Sequence, residues 1–190
     1  MFDDLLHQIR HCKVCEDFLP LGANPIVQAD SKSKIVIIGQ APGLKAHQSN
    51  IPWNDASGDH LRKWLNVTKT QFYDSELFAL IPMGFCYPGK GKSGDSPPRK
   101  ECAPLWHQRL LNEMPEIKLT LLIGKYAQAY YLKETKLKTI TENVLRFESY
   151  LPYFFPLPHP SPRNFIWMNK NPWFSEHVLP ELKNKIADIL

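Results

Sequence analysis

The chain has 190 residues, 43% of them apolar, with 23 Lys and Arg against 19 Asp and Glu. That length suits one domain over residues 1–190 with a sizeable core, and the apolar share excludes a disordered polymer. A net charge of +4 and a pI near 8.8 permit a polyanionic partner without demanding one. No apolar run approaches a membrane span, and the acidic start Met1-Phe2-Asp3-Asp4 is unlike a signal peptide, so a soluble, cytoplasmic, monomeric protein with no membrane partner is expected.

Leu5, Leu6 and Ile9 fall at helical spacing and predict a short helix over 3–10, running into Cys12-Lys13-Val14-Cys15. Residues 20–34 read as loop. Ile35-Val36-Ile37-Ile38 is apolar throughout and predicts a strand buried on both faces. It stops on Gly39-Gln40-Ala41-Pro42-Gly43. In an open parallel sheet, ligands bind where loops leave the strands' carboxyl ends, so a site is expected there. The loop lacks the lysine and Ser/Thr of a P-loop and the third glycine of a dinucleotide fingerprint. The plain alternative is a tight turn without a ligand. Residues 44–50 read as a polar loop leading to Ile51-Pro52-Trp53-Asn54-Asp55, and a helix starts near Ser57 with the stripe Leu61, Trp64 and Leu65.

A second strand is expected over 77–82, then a long Gly-, Pro- and Lys-rich loop over 84–100 that contains Cys86 and ends at Cys102. A helix over 103–113, a strand over 119–123 and a helix from Gly124 through Ala127, Tyr130 and Tyr131 follow. A further helix is expected near 138–147 and a short strand over 153–157. The last helix carries Pro180 in its first turn and buries Leu179, Leu182, Ile186 and Ile189. Strands separated by helices define an α/β class, with a parallel sheet covered on both faces.

Two features carry chemistry. Cys12 and Cys15 form a C-x-x-C pair, and Cys86 and Cys102 flank the basic loop. Four cysteines in a cytoplasmic setting point to metal ligation, by a tetrahedral zinc or an iron–sulfur cluster, rather than to disulfides. The alternative is four free, buried thiols. His159-Pro160-Ser161-Pro162-Arg163-Asn164 follows the last strand. A histidine held between prolines suits a pre-aimed hydrogen-bond donor. Arg163, Asn164, Lys170 and Asn171, interleaved with Phe165, Trp167, Trp173 and Phe174, read as a nucleic-acid surface, with Trp173 and Phe174 expected in the core.

The G-x-x-P-G loop at 39–43, the cysteine set Cys12, Cys15, Cys86 and Cys102, and the late His159-Pro160-Ser161 occur in the order seen in a known family. From Cys12 to about Phe174 the chain resembles the uracil-DNA glycosylase superfamily, most of all its iron–sulfur branch, often called family 4. The resemblance implies a three-layer α/β/α sandwich with a central four-stranded parallel sheet. It implies a DNA glycosylase that hydrolyses the N-glycosidic bond of uracil or a related deaminated base, extruding the nucleotide into a pocket. His159 matches the histidine that donates to the base oxygen, assisted by backbone amides of Gly39, Gln40 and Ala41. Trp53 matches the aromatic on which the base stacks, and Met83 lies in the stretch that reads the base. Ser161, Arg163 and Asn164 match the loop that enters the minor groove. The cysteines match ligands of a structural 4Fe–4S cluster, with zinc as the alternative. The cluster holds the 86–102 loop against DNA and brings Lys90, Lys92, Arg99 and Lys100 near phosphates.

Two positions depart from the family pattern. Gln40 stands where family 4 has an acid, so Asp55 becomes the nearest acidic residue, or else a helix cap. Residues 81–86 lack the asparagine that precedes the third cysteine. Two other readings stay open: a DNA-binding protein that senses lesions or single strands without cutting, and a zinc-stabilised hydrolase acting on a small nucleotide.

Overall fold

The structure is a computed structural model and describes residues 1–134, 137 and 139–190. Its strands in chain order are β1 (Ile35–Ile38), β2 (Phe78–Leu80), a small hairpin of β3 (Lys90–Gly91) and β4 (Gly94–Asp95), β5 (Leu119–Ile123) and β6 (Phe154–Leu157). Its helices are α1 (Phe2–Arg10), α2 (Leu44–Ser49), α3 (Ala56–Leu65), α4 (Lys69–Phe72), α5 (Cys102–Asn112), α6 (Gly124–Tyr131), α7 (Ile140–Leu145), α8 (Phe165–Lys170) and α9 (Leu179–Ile189).

All four residues of β1 are fully buried. Successive side chains on a strand point to opposite faces, so this short run feeds two cores at once. Val36 and Ile38 join Leu5, Leu6 and Ile9 of α1, Trp106 and Leu110 of α5 and Ala127 of α6. Ile35 and Ile37 join Leu61, Trp64 and Leu65 of α3 and Leu182 and Ile186 of α9. β1 pairs in parallel with β2 on one side and β5 on the other, and β6 adds in parallel to β5. The order β2-β1-β5-β6 makes a central four-stranded parallel sheet between two helical layers, a three-layer α/β/α sandwich. The chain leaves β1 for β2 and then crosses back to β5 on the opposite flank. Such a reversal opens a crevice at the carboxyl ends of the strands.

The local differences from expectation have physical reasons. Residues 44–49 are helical, not loop: Leu, Lys, Ala and Gln favour helix, but only Ala46 is buried, so no apolar stripe betrays it. α4 is one turn closed by a capping box between Thr68 and Gln71. The 84–100 stretch folds back as the β3–β4 hairpin, whose two-residue strands are too short to alternate. The helix expected near 138–147 runs over Ile140–Leu145 and then passes into a 3₁₀ turn; Lys138 lies outside the described residues. Phe174 is fully buried as expected, whereas Trp173 is half-buried and packs edge-on against it. Among the described residues no helix is long and apolar enough to cross a membrane.

One buried polar group ties the sheet to α5. His107 accepts from the Tyr131 hydroxyl at 2.7 Å, and its other ring nitrogen donates to the Pro82 carbonyl at 3.0 Å, just past β2. Burial holds its pKa down at about 4, below the ordinary 6.5, so the native imidazole is neutral. The unfolded chain takes up that proton first on acidification. Stability therefore declines as pH falls from about 6.5 towards 4, by roughly 1.4 kcal/mol per unit at the steepest. Urea midpoints measured between pH 7 and 4 are expected to fall, and His107→Gln is expected to flatten that slope while lowering the neutral midpoint.

Candidate active site

A cavity of about 330 Å³ lies at the carboxyl ends of the strands. Residues 39–43 after β1, Pro82 after β2, and His159 and Ser161 after β6 form one side. Pro52, Trp53 and Asp55 ahead of α3 close a second side, and Gly94 and Asp95 of β4 close a third. Gly124, the first residue after β5, has φ +78°, a left-handed conformation suited to glycine; a Cβ there would stand 3.8 Å from the His159 Cβ.

Trp53 is the centrepiece. Its ring covers Gly39, where a Cβ would lie 2.8 Å from the ring, and it stacks on His159 with centroids 5.9 Å apart and planes at 30°. Its φ of +56° costs a bulky residue about 1–3 kcal/mol and persists only where neighbours enforce it. The neighbours are identifiable. Tyr73 donates to the Pro52 carbonyl at 2.9 Å. Buried Arg62 donates to the Trp53 carbonyl at 3.5 Å and is steadied by Asp59 at 2.6 Å. Gly58 lets that carbonyl come so close that a Cβ would sit 1.8 Å from its oxygen. Asp55 caps α3, its Oδ1 accepting from Gly58 N–H at 2.9 Å, while its Oδ2 faces Gly43.

His159 stands on a braced loop. Asn164 donates to the His159 carbonyl at 2.5 Å, the Ser161 hydroxyl accepts from Arg163 N–H at 3.3 Å, and His60 bonds the Pro160 carbonyl at 3.2 Å. Behind it, buried Gln128 donates to the Leu157 carbonyl at 2.9 Å. Burial lowers the His159 pKa below its ordinary value, against an opposing pull from Asp55. The imidazole is therefore neutral near pH 7, with one N–H to donate.

Of the residues singled out from the sequence, Gly39, Gln40, Ala41, Trp53, Asp55, His159, Ser161 and Arg163 line this cavity. Met83 does not: its side chain lines a neighbouring groove and its backbone N–H bonds the Gly39 carbonyl, so Pro82 is the residue after β2 that reaches the cavity. Gln40 turns its amide to the Ser96 carbonyl at 3.5 Å. Lys90 and Lys92 are exposed on the hairpin, and the Arg163 guanidinium lies beside Gly94. Arg99 is turned inward, paired with Glu101 at 2.6 Å and lying over Phe18 at 4.4 Å. Phe165 and Ile166 project into solvent next to Asn164. Asp95, Pro82, Arg62 and Tyr73 were not singled out. Arg62 sits beside Lys63 in one helix, and no spacing rule tells which of the two cations turns inward.

The four cysteines gather elsewhere, around one small cavity shared with Leu19, Phe85 and Arg99. Cys12 follows α1, Cys86 follows β2 and Cys102 opens α5. All four are free thiols, and Cys15, Cys86 and Cys102 are buried. Burial raises the Cys86 pKa to about 11 and that of Cys102 to about 12, and also raises Cys15, where Arg99 opposes it. Among the described residues no three His, Cys, Asp or Glu side chains are grouped to hold a metal ion. The thiols share one small cavity.

Residues 26–183 match the family model of the uracil DNA glycosylase superfamily. The matched span contains the 39–43 loop, Trp53 and His159. The chain belongs to this superfamily, whose members generally hydrolyse N-glycosidic bonds in DNA.

Alanine is the better helix former, so a helical Gly→Ala change ordinarily stabilises by about 0.5–1 kcal/mol. Gly58→Ala is expected to do the reverse, lowering stability by more than about 2 kcal/mol in urea unfolding, because its Cβ would overlap the Trp53 carbonyl.

Proposed function

We propose that this protein is a monofunctional DNA glycosylase that hydrolyses the bond between C1′ and uracil, or a related deaminated base, in DNA. The observation that carries the reading is the meeting of neutral His159, Trp53 and the 39–41 loop in one cavity at the strand ends. An extruded base needs a stacking face, and Trp53 offers one. Departure of the base leaves an oxocarbenium-like sugar and an anionic base. A neutral imidazole N–H aimed at the base oxygen stabilises that charge as it forms, and its preset loop spares reorganisation during the reaction. Ser161, Arg163 and Asn164, with exposed Phe165 and Ile166 beside them, form the ridge that meets the DNA, and Lys90 and Lys92 supply cations for phosphates.

In this reading Cys12, Cys15, Cys86 and Cys102 hold a 4Fe–4S cluster, as in the iron–sulfur family 4 branch. Four thiols that line one small cavity supply the tetrathiolate set such a cluster takes, with a single zinc as the alternative. The cluster supplies structure and no step of the chemistry. The cysteines anchor both ends of the segment carrying the β3–β4 hairpin and so fix a wall of the cavity.

His159→Ala is expected to slow single-turnover excision by about 100-fold or more while leaving DNA affinity nearly unchanged. Equal losses in both would remove His159 as a transition-state donor. Cys86→Ala is expected to give unstable, colourless protein, read by visible absorbance and iron content. A soluble brown variant would contradict the ligand assignment.

A further inference from the structure

The glycosylase reading leaves one chemical need open. The position after Gly39 is a neutral glutamine whose amide is turned to Ser96, so it offers no base for the attacking water. We propose that Asp95, carried to the cavity by the β3–β4 hairpin, is the catalytic carboxylate that takes the proton of that water. The proposal rests on the glycosylase reading and deepens it.

Two carboxylates line the cavity among the described residues, Asp55 and Asp95. Asp55 is held by the α3 cap through one oxygen, bonded to Gly58 N–H at 2.9 Å, and its other oxygen faces Gly43. No described side chain pairs with the Asp95 carboxylate. Its Oδ2 lies 3.5 Å from where a Cβ on Gly43 would stand, which presses it against the loop that ends β1. The hairpin holding it is tied down on several sides. Ser96 N–H donates to the Gly89 carbonyl at 2.8 Å, Gln40 reaches the Ser96 carbonyl, and the Arg163 guanidinium flanks Gly94. Asp95 remains open to solvent at the cavity mouth, where water is available.

The charged and titratable groups facing it are Asp55 from α3, Arg163 from the histidine loop, Lys90 from β3 and Tyr87 ahead of the hairpin. Burial, and then Asp55, push the Asp95 pKa above the ordinary carboxylate value, while Arg163 and Lys90 oppose them. A raised pKa makes it a stronger proton acceptor. In the step, the C1′–N bond breaks with its electron pair leaving on the base, held by His159. The water oxygen bonds to C1′, and the water proton passes to Asp95, which releases it to solvent. Gln40 then serves as a positioning residue that ties the hairpin across the cavity.

The test compares wild type, Asp95→Asn and Asp55→Asn in single-turnover excision from duplexes carrying uracil, hypoxanthine or xanthine, across the acidic pH range. Wild-type excision is expected to rise with pH as Asp95 loses its proton. Asp95→Asn is expected to be about 100-fold slower, to lose that rise and to keep its melting temperature and DNA affinity. Asp55→Asn, whose side chain still caps α3, is expected to keep the rise. Formate is expected to restore part of the rate to Asp95→Ala and none to His159→Ala. If wild type excises a base and Asp95→Asn matches it within about threefold, or if the pH rise follows Asp55 instead, the assignment of Asp95 falls and the glycosylase reading stands. If wild type excises none of the three bases, both fall together.

Discussion

The cavity depends on one contact, the Trp53 ring lying on Gly39. Strand β1 is packed from both faces by two cores, and Gly39 offers bare backbone at its end. The indole can occupy that place only if Trp53 accepts a left-handed backbone. Arg62, Tyr73 and the missing side chain of Gly58 hold it so. The strain is local, Arg62 and Gly58 among its restraints are buried, and the ring they fix is the surface against which His159 is set.

Two centres serve this arrangement by different physics. At the cavity, burial keeps the His159 imidazole neutral, so that it presents a hydrogen bond rather than a charge. At the thiol cluster, burial disfavours the anionic form that any metal would require, so occupancy there would draw on the full attraction of a cation for four thiolates. The two centres meet through the chain between Cys86 and Cys102. Gly84 stands tight against Pro98, and the hairpin in between reaches the cavity through Asp95.

Much of this was legible in the residues. The β-branched run at 35–38 announces a doubly buried strand, and the prolines around His159 announce a rigid loop. What stayed hidden had weak periodic signals. α2 buries one alanine, the β3–β4 strands hold two residues each, and Arg62 differs from Lys63 only in which way it points. Met83 and Pro82 show the limit most clearly. They are adjacent in sequence, but Leu80 at the end of β2 and Pro82 two residues on line the cavity, whereas Met83 lines the neighbouring groove. Asp95 carries no local signal because it lies in a Gly- and Lys-rich stretch whose fold comes from Gly94 at φ +103° and from contacts with distant loops.

The most direct test is the release of a base from DNA. Labelled oligonucleotides carrying uracil, hypoxanthine or xanthine are incubated with the purified protein and then treated with alkali, which breaks the strand at any abasic site. Strand breaks are expected at one or more of these bases. Salt-dependent binding of all the oligonucleotides without a single break would contradict the glycosylase reading and leave a protein that reads DNA without cutting it.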